Sequence, residues 1–134
     1  MTTGTAGSGA REYPYQMIHY LRKSITYADN GTTVTVGTIP AGSVLVKPIS
    51  GVSVSVAFNG GSTNTLDIGP STDTGTNLWM TVGALGSIAF VPLDEAVTNT
   101  VSVDTIVQAA VVSTAGASAG TAEIVICYIP DNDL

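Results

Sequence analysis

Chemistry in this chain would have to start from very few side chains. The 134 residues include one histidine, one cysteine and one tryptophan. Covalent catalysis needs a Ser, Thr or Cys beside a base that can take its proton. His19 is the sole imidazole, and it sits in the apolar-aromatic run Tyr15 to Tyr20, where it reads as a packed or surface residue rather than a base. The Gly-x-Ser-x-Gly spacing at Gly116-Ala117-Ser118-Ala119-Gly120 falls in a small-residue loop and lacks the strand-to-helix setting of a nucleophile elbow. Zinc and iron sites draw on several His, Cys or carboxylate ligands, more than one His and one Cys supply. Cys127 lies within Ile124-Val125-Ile126-Cys127-Tyr128-Ile129, the setting of a small buried hydrophobe. That run offers no cation to activate a thiol, and a single Cys rules out an intrachain disulfide.

The remaining candidates are loop residues. Asp29-Asn30, Asp67, Asp73, Asp94-Glu95 and Asp131-Asn132-Asp133 make calcium the one metal worth weighing, but none follows a calcium-loop spacing. In turns, such residues ordinarily bond their own backbone. Gly60-Gly61 lacks the strand, glycine loop, helix and Lys of a phosphate cradle. Trp79 has two readings, a platform for stacking a sugar or a core residue, and the core is the safer one. Tyr13 to Tyr20 is the other aromatic stretch available to a ligand. No catalytic, cofactor-binding or metal residue is assigned, no cofactor is expected, and the chain is read as a non-enzyme.

Charge narrows the partners. Charged residues make up 10% of the chain, against about 25% in an average soluble domain. Net charge is −6, with Arg11, Arg22, Lys23 and Lys47 as the only cations. A phosphate backbone is held by clustered Lys and Arg, so nucleic acid is not an expected partner. In a strand, Arg22 and Lys23 point to opposite faces. No apolar stretch approaches the length of a membrane span, and Met1 to Ala10 has no apolar signal core.

The elements that would position these residues are strands. Residues 1–12 read as a flexible N-terminal arm, its first ten positions being small and polar, and 13–134 as a single domain. Tyr13 to Tyr27 fits a long strand or a short helix, with β-branched residues and tyrosines favouring strand. Asp29-Asn30-Gly31 is a turn, so residues 22–37 read as a hairpin. Val44 to Val46 is a strand that Pro48 must bend or end. Val52 to Phe58 alternates cleanly, and Thr65 to Ile68 is expected to pair back on it as a second hairpin. Leu78 to Val82 reads as strand or helical turn. Strands are expected at Ile88 to Val91, Thr100 to Val103, Ile106 to Val112 and Ala122 to Ile129. About eight or nine short strands with regular turn signals predict an all-β protein, an antiparallel β-sandwich or jelly-roll-like domain.

Ile106 to Val112 and Ile124 to Ile129 do not alternate apolar with polar. A strand with one wet face should alternate. Such strands either lie centrally between packed layers or turn one face to another subunit. Sparse charge favours the second, so a homo-oligomer, most plausibly a trimer, is expected.

Two runs carry a resemblance. Val36-Gly37-Thr38-Ile39-Pro40-Ala41-Gly42-Ser43-Val44-Leu45 leads into a strand, and Val52-Ser53-Val54-Ser55-Val56-Ala57-Phe58-Asn59-Gly60 with Leu66-Asp67-Ile68-Gly69 follows. This pattern, over residues 20–129, is similar to small virion proteins of tailed bacteriophages, in particular capsid decoration (cement) proteins. The resemblance implies a β-sandwich or jelly-roll subunit on the particle, made in the bacterial host cytoplasm. Its implied partners are sibling copies and the major capsid protein or other virion subunits. It implies no catalytic residues, and it leaves head decoration, head-fibre base and tail or fibre modules open.

Overall fold

Alternating side chains on short segments, each stopped by Gly, Pro or Asn, bury one face per segment and stack two such layers. The computed structural model describes residues 18–73, 76–95 and 100–131. The arm expected over 1–12, together with Tyr13, Tyr15, Asn132 and Asp133, lies outside the described residues. Nine strands form among the described residues: β1 (His19–Thr26), β2 (Thr33–Ile39), β3 (Val44–Leu45), β4 (Gly51–Val56), β5 (Asn64–Pro70), β6 (Met80–Ala84), β7 (Phe90–Pro92), β8 (Thr105–Ser113) and β9 (Thr121–Ile129). One sheet runs β1-β9-β4-β7, with β3 also paired to β9, and the other runs β2-β8-β5-β6. Every pairing is antiparallel. The expected all-β sandwich is what the chain forms.

Between the sheets lie side chains such as Ile25, Leu66, Ile68, Val107, Ile124 and Ile126, all fully buried. Each contributes about 1.5–3 kcal/mol relative to exposure. In β1, His19, Leu21, Lys23 and Ile25 pair with Tyr128, Ile126, Ile124 and Ala122 on the inner side. Arg22 and Lys23 therefore do take opposite faces.

Both expected hairpins are corrected. β1 belongs to the first sheet and β2 to the second, and β4 and β5 are divided in the same way. At the first reversal, Thr26 caps a 3-10 turn (Tyr27–Asp29): its Oγ1 accepts from Ala28 N, and Asp29 Oδ2 accepts from Thr26 N at 2.8 Å. Asn30 Oδ1 then accepts from Ser113 N at 2.8 Å, tying the turn to β8 in the opposite sheet. The reversal thus delivers the chain across the core instead of along a ladder. Among consecutive strands, β5 and β6 alone are hydrogen-bonded neighbours.

Pro48 acts as expected. A 3-10 turn (Lys47–Ile49) separates β3 from β4, and both then pair with the same side of β9. Across the gap, Ser50 takes the place of the missing ladder. Its Oγ donates to Val46 O at 2.7 Å and accepts from Cys127 N at 2.8 Å.

Strand β6 starts at Met80, two residues later than expected. Thr100–Val103 is not a strand. Thr100 makes a single bridge to Val44, and Val103 stands 65% exposed. The two unalternating strands are the central ones, β9 between β1 and β3/β4, and β8 between β2 and β5. In β8 alternate residues are fully buried and the outward Gln108, Ala110 and Val112 half-buried by lateral neighbours. Central position within a sheet accounts for their greasiness, since neighbours on both sides shield the outward residues.

Candidate interaction surface

The residues weighed for catalysis are dispersed. His19 faces inward at the start of β1, its ring 5.8 Å from that of Tyr128, with Nε2 buried and unpartnered. Cys127 is buried, and desolvation raises its thiol pKa, with the Ser50 hydrogen bond pulling the other way. The loop acids hold backbone. Asp73 Oδ2 accepts from Asn77 N (2.7 Å) and Leu78 N (2.9 Å), Asp67 Oδ1 from Val82 N (2.6 Å), and Asp104 Oδ1 from Ala41 N (2.8 Å). Asp94 Oδ1 accepts from Thr81 N at 3.2 Å. Among the described residues, no group of three or more His, Cys, Asp or Glu side chains is placed to hold a metal ion. These Asp side chains thus fasten the backbone of turns and neighbouring strands.

Strand register assembles a surface instead. On the outer face of the β1-β9-β4-β7 sheet, Tyr20 stands opposite Cys127 and Arg22 opposite Val125. Val44 stands opposite Ile129, and Ser53 opposite both Glu123 and Phe90. Tyr20, Val44, Phe90 and Ile129 are each more than 40% exposed, as is Ile18 just ahead of β1. Among the described residues the ion pair across this face is Arg22 with Glu123, bidentate at 2.5 and 2.7 Å. It raises the guanidinium pKa and lowers that of the carboxyl. An exposed pair like this adds little stability, but it neutralises the face and leaves apolar side chains to dominate one end. Natural monomers seldom leave such a contiguous patch uncovered.

Charge is distributed unevenly. Among the described residues the cations are Arg22, Lys23 and Lys47, all in the first layer. The strands of the second sheet hold no cation and one acid, Asp67. Lys47 Nζ donates to Glu95 O.

A second feature is a groove of about 450 Å³ at one end of the sandwich. Trp79, 4% exposed, and Pro70 meet the exposed Leu78, Val103 and Ile106 there. Asp104 stands at its edge. Trp79 is therefore a core residue with one boundary on the groove, and among the described residues of the aromatic stretch named from the sequence, Tyr20 is exposed, at 59%. The part played by Val44, Ile129 and Phe90 had no signal in the sequence. Val44 and Ile129 become neighbours only through register between distant strands, while Phe90 lies farther along the face, opposite Ser53.

No protein-family model and no curated protein matches this sequence. Two solved structures do match the fold. A chain of the cyanophage Pam1 capsid asymmetric unit superposes with a TM-score of 0.66 at 16% identity, over 96% of this chain and 98% of that one. The likeness is one of fold. A chain in the acidic stable capsid structure of Helicobacter pylori bacteriophage KHP30 gives 0.65 at 16% identity, over 84% of this chain and 86% of that one. Coverage is high on both sides of both matches.

Proposed function

We propose that this protein is a structural component of a bacteriophage virion, a capsid decoration (cement) subunit that stabilises the head shell through protein–protein contacts. The observation that carries this reading is the end-to-end fold likeness to chains of comparable length in two phage capsid structures. The strand order supports it as well. Counting β3 and β4 as one interrupted strand leaves four strands per sheet, β1-β9-β4-β7 facing β2-β8-β5-β6, which is the double Greek key of a jelly roll. The apolar outer face at Ile18, Tyr20, Val44 and Ile129 supplies contact area for sibling or shell subunits.

The mechanism is linkage. A subunit that binds only the assembled shell stabilises it by an amount that grows with the logarithm of its concentration over its dissociation constant. A trimer suits this role, because sites where three capsomers meet present matching threefold symmetry. Its partners are its own copies and the major capsid protein, its place is the virion, and its role involves no catalysis. A receptor- or glycan-binding tail module is the competing reading; burial of Trp79 weakens one of its candidate platforms and leaves the exposed Tyr20 as the other.

Antibody raised to the folded domain should label the outside of intact heads. The double variant Tyr20→Asp with Ile129→Asp should remain folded, fall to monomers by light scattering and lose head binding. Labelling confined to tails, or a wild-type protein that is monomeric at micromolar concentration and does not bind heads, would overturn the proposal.

A further inference from the structure

Two Asn-Gly steps occur in the chain, Asn30-Gly31 and Asn59-Gly60. At such a step a backbone amide can reach the preceding side-chain amide with little hindrance, because glycine has no Cβ to block the approach. Both glycines are required by the fold. Gly31 has φ +77°, and a Cβ on Gly60 would lie 2.6 Å from Thr114 O. Both asparagines are in use as well. Asn30 Oδ1 accepts from Ser113 N at 2.8 Å, and Asn59 Oδ1 accepts from Ser118 N at 2.9 Å and Ala119 N at 3.0 Å. The fold thus relies on two chemically labile steps, and it guards them unequally.

We propose that Asn30 is a site of spontaneous deamidation in the folded protein, whereas Asn59 is locked against the same reaction. At Asn30, Gly31 N gives up its proton and attacks Cγ. The new C–N bond closes a succinimide ring, and the Nδ2 amide leaves with that proton as ammonia. Water then opens the ring at either carbonyl, to aspartate or to isoaspartate, with no change of oxidation state. Gly31 N has one hydrogen bond to release, to Val111 O at 2.9 Å, and nothing lies within 4 Å of where its Cβ would be. Asn30 is exposed, and its Nδ2, the leaving group, has no hydrogen-bond partner among the described residues. At the other step Asn64 brackets the glycine, its Oδ1 accepting from Gly60 N at 2.8 Å and its Nδ2 donating to Gly60 O at 3.0 Å. The Thr114 backbone closes on the same glycine, and Asn59 Nδ2 donates to Ser118 Oγ at 3.1 Å. Backbone donors polarise the Cγ carbonyl at both asparagines, so the difference rests on the glycine and the leaving group. Conversion at Asn30 adds a negative charge to a chain already at −6. Isoaspartate there also adds a methylene to the main chain at the reversal between the sheets, loosening its tie to β8.

The test compares the full chain, folded in buffer and unfolded in guanidinium chloride, during incubation at mildly alkaline pH. Peptide mapping by mass spectrometry follows conversion at the two asparagines separately. In denaturant both should convert at comparable rates, since glycine follows each. In the folded protein Asn30 should convert at least about ten-fold faster than Asn59, because more hydrogen bonds must open at the second step. Equal rates at the two sites in the folded protein would overturn the proposal. So would an unreacted Asn30 in the folded protein while the denatured sample converts at both. Asn64→Ala removes the bracket on Gly60, and with an unchanged circular dichroism spectrum it should accelerate Asn59 toward the rate at Asn30. An unmoved Asn59 in that folded variant would refute the lock, and the wild-type comparison decides the matter without the variant.

Discussion

Replacing Ser50 by alanine should cost far more than the loss of one small polar group suggests. Ser50 is fully buried, and its hydroxyl serves two backbone groups across the break between β3 and β4. In Ser50→Ala the amide of Cys127 loses its acceptor in a buried position, which costs about 1–3 kcal/mol. Val46 O loses a donor at 2.7 Å, worth about 1 kcal/mol more. The sum, about 3 kcal/mol, is a large fraction of the 5–15 kcal/mol typical of a domain. For a chain of this length it should lower Tm by about 10 °C. Ser55→Ala is the control. Ser55 is exposed and donates to Thr121 O at 3.1 Å, a bond that water replaces at a cost of at most about 0.5 kcal/mol. Urea unfolding followed by Trp79 emission measures both, with an unchanged m-value expected. Equal losses at the two serines, or a loss below about 1 kcal/mol at Ser50, would refute the claim that this hydroxyl replaces a ladder.

Two further outcomes follow from single contacts. Glu123 has its pKa lowered by Arg22, so the pair's contribution is present above the unfolded carboxyl pKa and disappears as pH falls through the lower folded value. The Tm difference between wild type and Glu123→Gln should therefore shrink in acid, and also in high salt. A difference that grows in acid would contradict this sign. Gly120 has φ +148°, and a Cβ there would lie 2.6 Å from Cγ of the buried Phe58 ring. Gly120→Ala should lose at least about 2 kcal/mol by chemical denaturation, whereas Gly86→Ala, open to solvent with nothing within 4 Å, should lose little.

The strands were legible in the sequence because alternation is local. Val52 to Val56 can be read directly from residue types, whereas β1, with His19 and Lys23 on its inner side, left strand and helix open. Strand partners were not legible. Asp29-Asn30-Gly31 announces a reversal, but both sheets of a sandwich point apolar residues inward with the same period. The pattern of β2 is therefore identical whether it pairs with β1 or crosses to β8. Thr100 to Val103 alternates like a strand, yet its backbone bonds to the neighbouring segment stop at Val101, which accepts from Gly42 N and donates to Ser43 O. The candidate surface was hidden for a related reason. Ile18, Val44 and Ile129 come from three separated segments, and only the completed register brings them together.

Strand order also governs when the molecule can come into existence. Both β1 and β3 find their ladder partner only in β9, and β4 depends on β9 for most of its pairing. During synthesis the first sheet must wait until residue 129 has cleared the ribosome, leaving its earlier strands as open edges in the meantime. A nascent chain cut short before β9 would keep only the β4–β7 pair of its first sheet, and a half-made subunit therefore lacks most of that sheet's outer face.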